Sequence, residues 1–138
     1  MNIEIYEPWP IPSSASHDAF AFDEMHVVGG SLIIELHEVR ENRRRMKIEF
    51  ASWPLTIKMA NESYRLSSIE RLPRQKRGSF YLVRNSELLD SFHKDSLGIY
   101  SGDPLQHMAI ITDEWIDLIF SDPPRISLTE ENQMTGKT

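Results

Sequence analysis

The sequence contains no cysteine. That absence excludes disulfide frameworks, thiolate nucleophiles and cysteine-rich zinc sites, and it fits a reducing compartment. Long apolar runs are also missing, since no segment approaches the roughly eighteen uninterrupted apolar residues that a membrane-spanning helix requires. The first residues, MNIEIYEPWPIPSS, have neither the basic n-region nor the apolar h-region of a secretory signal, so a cytoplasmic location is expected. Glycine is sparse, and none of the six belongs to a GxxxxGK[ST] phosphate loop or a GxSxG nucleophile elbow. Histidine is scattered over His17, His26, His37, His93 and His107, without an HExxH or His-x-His spacing. No catalytic constellation, metal site or cofactor is therefore expected from motif spacing.

A chain of 138 residues is long enough to bury one core without staples, so one globular domain over 1–127 is expected. The tail 128–138 has little to bury and reads as disordered. The net charge of -6 is unevenly spread, with a basic centre at residues 41–78 between two acidic flanks. Such a centre either contacts a polyanion or is neutralised by the flanks on folding. Overall acidity favours neutralisation, because counterion release needs clustered, unopposed cations.

Pro8, Pro10 and Pro12 mark the start of the chain as an irregular lead-in. Two β-favouring runs then meet at Gly29-Gly30, where a tight hairpin turn needs positive φ angles. Met46, Ile48 and Phe50 alternate with Lys47 and Glu49, the pattern of a half-buried strand. The runs 55–60 and 63–66 suggest a second hairpin around Asn61-Glu62. SFYLVR at 79–84 reads as another strand. Asn85 or Ser86 then caps a short helix at 86–94, with Leu88, Leu89 and Phe92 on one face. The expected fold is α+β: a mostly antiparallel, curved, meandering sheet of about seven or eight strands with one helix.

The most demanding stretch is HMAIITDEWIDLIF, residues 107–120, which places one histidine and three carboxylates in an oily run. Its β-branched and aromatic residues favour two strands over a helix capped by Thr112. With Asp113-Glu114 as the tip, Thr112 would pair with Trp115, Ile110 with Asp117 and His107 with Phe120. His107 and Asp117 would then face opposite sides, unless a one-residue bulge brought them together. If its face is buried, Asp117 should find a backbone or arginine partner.

Several islands carry a family resemblance: His17-Asp18-Ala19, Ser31 to Leu36, Asn85 to Leu89 with Phe92-His93, and His107 to Asp117 followed by Pro123-Pro124. In order and spacing they resemble small, mostly uncharacterised bacterial domains found among candidate immunity proteins of polymorphic-toxin systems. The resemblance implies a bacterial cytoplasmic protein with an antiparallel α+β fold, and it brings no catalytic residues. The expected function is non-enzymatic protein binding: occlusion of a cognate toxin's active site, the partner being a basic domain such as a nuclease. Asp103, Asp113, Glu114 and Asp122 are the acidic residues expected to face it. The alternative is a single-stranded nucleic-acid-binding domain using Arg43, Arg44, Arg45, Lys47, Arg74, Lys76 and Arg77, with Phe50, Trp53 and Tyr64 as stacking platforms.

Overall fold

The computed structural model describes residues 3–9, 20–39, 44–61 and 79–129. They form nine strands and one helix: β1 (Ile5–Pro8), β2 (Phe20–Val28), β3 (Ser31–Glu38), β4 (Arg45–Phe50), β5 (Thr56–Asn61), β6 (Phe80–Arg84), α1 (Glu87–Asp95), β7 (Gln106–Ile111), β8 (Glu114–Phe120) and β9 (Arg125–Thr129). Every strand pair is antiparallel. The strands divide into a five-stranded sheet, β1-β6-β7-β8-β5, and a four-stranded sheet, β2-β3-β4-β9. The fold is thus the expected mostly antiparallel α+β arrangement. Among the described residues its meander is confined to β2-β3-β4 and β6-β7-β8; β9 returns to β4, and β5 pairs with β8. The other arm of the hairpin expected around Asn61-Glu62, residues 63–66, lies outside the described residues.

Alternation explains why there are two sheets. Leu32, Ile34 and Leu36 of β3, with Met46, Ile48 and Phe50 of β4, turn one face of the smaller sheet inward. Phe80, Met108, Ile110, Ile116, Leu118 and Phe120 answer from the larger sheet, and all of these side chains are buried together. Burying each such side chain contributes about 1.5–3 kcal/mol against the chain entropy lost. Rings cross the interface, with Phe20 against Phe80 and Phe50 against Phe120 at centroid distances of 5.5 and 5.3 Å.

The larger sheet is also buried on its other face. Tyr6, Tyr81, Val83, Ala109 and Trp115 form a second cluster there, with Tyr6 meeting the edges or faces of Tyr81 and Trp115 at 6.2 and 6.0 Å. Burial on both faces removes the need for polar residues at alternate positions, which is why β7 and β8 read as almost continuous apolar runs.

Two boundaries differ from expectation. Residues 5–8 of the lead-in form an edge strand on β6, with Tyr6 opposite Val83; Pro8 is tolerated because it ends that edge strand. At the other end, Leu128 and Thr129 pair with Met46 and Arg45, so the strand runs two residues into the expected tail. The alternation of Ile126 and Leu128, both packed on the core, was the overlooked signal.

The basic centre is partly neutralised from within. Arg44 reaches Glu38 through Nε to Oε1 and Nη2 to Oε2, both at 2.7 Å, and its backbone N–H also donates to Oε1. Both residues are at least nine-tenths buried, and Glu38 is 1% exposed. This forked pair closes the end of the β3–β4 connection. Replacing Arg44 by alanine should cost about 3 kcal/mol, because it removes a forked ion pair from a buried carboxylate. Replacing exposed Arg45 by alanine should cost no more than about 0.5 kcal/mol. Urea denaturation of the two variants checks the contrast.

Candidate functional site

The chain leaves β6 at Arg84 and turns through Asn85 in the left-handed region, φ 55°, a conformation asparagine tolerates better than most residues. The Asn85 side-chain amide donates to the Ile3 carbonyl at 3.2 Å, which fixes this turn against the start of β1. Ser86 follows in extended geometry as the cap of α1, its Oγ accepting the Leu89 N–H at 2.9 Å. Glu4 caps the same end from outside, accepting the Glu87 N–H at 2.9 Å. Glu87 and Asp90 in the first turn, with His93 and Lys94 in the last, complement the helix dipole.

β7 and β8 do form a hairpin, but its register is one residue away from the expected one. Ile111 pairs with Trp115, leaving Thr112, Asp113 and Glu114 between them. Asp-Glu is a poor two-residue turn, whereas the threonine hydroxyl can close a longer one. Thr112 does so twice: its N–H donates to the Glu114 carbonyl, and its Oγ1 accepts the Glu114 N–H at 3.0 Å. Asp113 then points away from the turn and accepts the Phe22 N–H at 3.0 Å, tying the hairpin to β2. That bond holds the Asp113 carboxyl below its ordinary pKa.

The register places His107 opposite Ile119 and Asp117 opposite Ala109, so both polar side chains lie diagonally on the outer face of the larger sheet. His107 Nε2 lies 2.7 Å from Asp117 Oδ1, and His107 Nδ1 lies 2.6 Å from Ser86 Oγ. Trp115 Nε1–H donates to the same Asp117 oxygen at 3.1 Å. Because a carboxylate only accepts, the neutral imidazole would carry its proton on Nε2, and the Ser86 hydroxyl would then donate to Nδ1. Asp117 is buried, and among the described residues it accepts from the His107 imidazole and the Trp115 indole. A cavity of about 410 Å³ adjoins this chain, lined by Leu82, Val83, Leu89, Leu105 and Gln106 together with Ser86 and His107.

Serine, histidine and aspartate bonded in this direction are the elements of a nucleophilic triad. Three features make the arrangement architectural instead. The Ser86 hydroxyl is committed to the helix cap, and Ser86 and His107 are only 4% and 2% exposed. The Glu4 carboxylate occupies the Glu87 N–H, the donor an oxyanion would need, and its charge would repel that oxyanion. The ring is also turned so that Nδ1 faces the serine, whereas serine hydrolases use Nε2 for the proton transfer. The chain's effect is positional: it fastens the start of α1 to β7 and β8.

The sequence-selected surface residues do not converge. Asp113 and Glu114 sit at one end of β8, and Asp122 lies beyond the other, roughly 20 Å away at about 3.3 Å per residue. Asp103, preceding β7, shares the Asp122 end, because Gln106 pairs with Phe120. Arg44 is sequestered by Glu38, which removes it from any polyanion surface. Arg45 and Lys47 are exposed, but Lys47 faces Glu35 across the ladder and Glu49 follows it, so the Lys47 charge is opposed. Arg43, Tyr64, Arg74, Lys76 and Arg77 lie outside the described residues. Of the proposed platforms, Phe50 is buried in the core and Trp53 is 48% exposed.

Trp53 belongs to an apolar group that sequence reading passed over. Val27 and Val28 at the tip of the β2–β3 hairpin are 51% and 58% exposed, and Leu55 is 37% exposed. Residues 51–55 link this tip to the other sheet: Ser31 Oγ donates to the Ala51 carbonyl at 3.2 Å, and the Leu55 N–H donates to the Ile119 carbonyl at 2.8 Å. Val27, Val28, Trp53 and Leu55 therefore lie at strand ends and connections on the side of the molecule that also carries Asp103 and Asp122, with Val27 and Val28 alternating to opposite faces of their strand.

Compared with protein-family models, curated proteins and solved structures, the chain gives no match.

Alanine at Ser86 should cost about 1 kcal/mol through the lost cap. Alanine at Asp117 should cost about 3 kcal/mol or more, because two buried donors lose their acceptor; chemical denaturation measures both. Asp113 makes a pH prediction. Its pKa is lowered on folding, so its contribution is present above the ordinary 3.8 and disappears as pH falls through the lowered value. The Tm difference between wild type and Asp113→Ala should therefore shrink as pH falls below 3.8.

Proposed function

We propose that this chain is a non-enzymatic protein-binding module, in its most concrete form an immunity protein that neutralises a cognate bacterial toxin in the cytoplasm by covering its active site. The observation that carries the reading is the half-exposed Trp53 in the connection between the two sheets, with Val27, Val28 and Leu55 exposed at the strand ends that this connection joins. Tryptophan is among the residue types enriched in binding hot spots, and exposed apolar surface rimmed by charge marks interaction sites. Asp103 and Asp122 supply negative charge at that rim, and the chain carries a net charge of -6. Both features suit a basic partner such as a nuclease domain, whose approach they would accelerate. The architectural use of Ser86, His107 and Asp117 supports a role without chemistry of its own.

Single-stranded nucleic-acid binding is the weaker reading. Of its described basic residues, Arg44 is consumed by an internal ion pair, and Lys47 faces Glu35 across the ladder. Among the described residues, no helix is long and apolar enough to cross a membrane.

Co-expression with the proteins encoded by adjacent genes tests the proposal. A stable complex and protection from toxicity are expected, and Trp53→Ala should weaken binding by about thirtyfold, the equivalent of a 2 kcal/mol hot spot. Arg45→Ala serves as the unchanged control. Absence of both complex and protection would remove the proposal.

A further inference from the structure

The outer face of the smaller sheet carries a cluster independent of the docking end. Between Phe22 and Glu24 the β2–β3 register shifts, making Asp23 an extra residue in β2. Without it, Glu24 would stand opposite Ile34 and point into the core. With it, Glu24 stands opposite Glu35, and His26 follows on the same outward face. Asp23 bonds His37 Nδ1 at 2.6 Å just beyond them.

Two carboxylates directly opposed across a ladder destabilise it unless something lies between them. The His26 ring is close to both, with Nδ1 3.6 Å from Glu24 Oε1 and Nε2 3.8 Å from Glu35 Oε2. Both distances exceed a hydrogen bond, so these contacts engage neither ring nitrogen as a bonded partner. The three side chains nevertheless bring one ligand atom each to within 4.8 Å of the others. The backbone beneath them is fixed by the ladder, while the Glu24 and His26 side chains are 61% and 40% exposed.

We propose that Glu24, His26 and Glu35 form a binding site for a divalent transition-metal cation of the zinc class. The donor set selects the cation. Calcium and magnesium favour all-oxygen shells, whereas an imidazole with two carboxylates suits zinc. Zinc bonds each such ligand at about 2.0–2.2 Å, which in tetrahedral geometry sets the donors roughly 3.3 Å apart. Rotation of the two exposed side chains closes that gap, and water completes the shell. The bound cation replaces carboxylate repulsion with attraction and cross-links β2 to β3.

Calorimetric titration of the full chain with zinc chloride, paired with thermal melts, tests the site. Saturable one-to-one binding is expected, with a Tm that rises with zinc concentration and no comparable response to magnesium chloride. His26→Ala and Glu35→Gln should each weaken zinc binding about tenfold or more, whereas His93→Ala should leave it unchanged. Absence of saturable zinc binding, equal affinity for magnesium, or undiminished binding in both His26→Ala and Glu35→Gln would overturn the assignment.

Discussion

The hydrogen bond from His107 Nε2 to Asp117 Oδ1 is the contact on which the larger sheet depends. Asp117 is 1% exposed in a face otherwise built from Tyr81, Ala109, Trp115 and Ile119. A carboxylate there is tolerated only if donors replace its lost water. His107 and Trp115 supply them, and His107 can do so only in the observed β7–β8 register. Sliding the hairpin by one residue would put His107 and Asp117 on opposite faces, leaving each without the other. The bond therefore selects one pairing among alternatives of similar hydrophobicity. Through Nδ1 it then reaches Ser86, whose hydroxyl begins the only helix among the described residues.

Much of this architecture can be read from residue patterns. Gly29-Gly30 between two β-favouring runs marks the first hairpin, and the period-two pattern of Met46, Ile48 and Phe50 marks β4. Ser86, ahead of an acidic first turn, marks the helix. What local pattern cannot supply is pairing between distant segments. The packing of β5 on β8 and of β9 on β4 depends on long-range contacts that no short window contains. The same limit applies to Ser86, His107 and Asp117. Each is visible, but their meeting follows from a turn in which Thr112 closes three residues instead of Asp113-Glu114 closing two. A charge count likewise records Arg44 as surface cation, because burial against Glu38 is not a property of composition.

Order within the sheets and exposure at one end are complementary. The larger sheet is covered on both faces, and the polar groups inside it are committed to one another. The surface proposed for recognition includes Val27, Val28, Trp53 and Leu55, where short connections between strands present exposed apolar side chains. A docking surface that is already ordered loses less entropy on association. In this account the serine, histidine and aspartate serve recognition indirectly, by holding the scaffold that displays it.

The most direct test of that account is the state of the His107 ring, read from long-range nitrogen–proton correlations of the imidazole. The account predicts a single neutral tautomer with its proton on Nε2, protected from exchange and lost to the solvent-averaged pattern when Asp117 is replaced by alanine. A ring protonated on Nδ1 alone, or one averaging between tautomers in the wild-type protein, would contradict it.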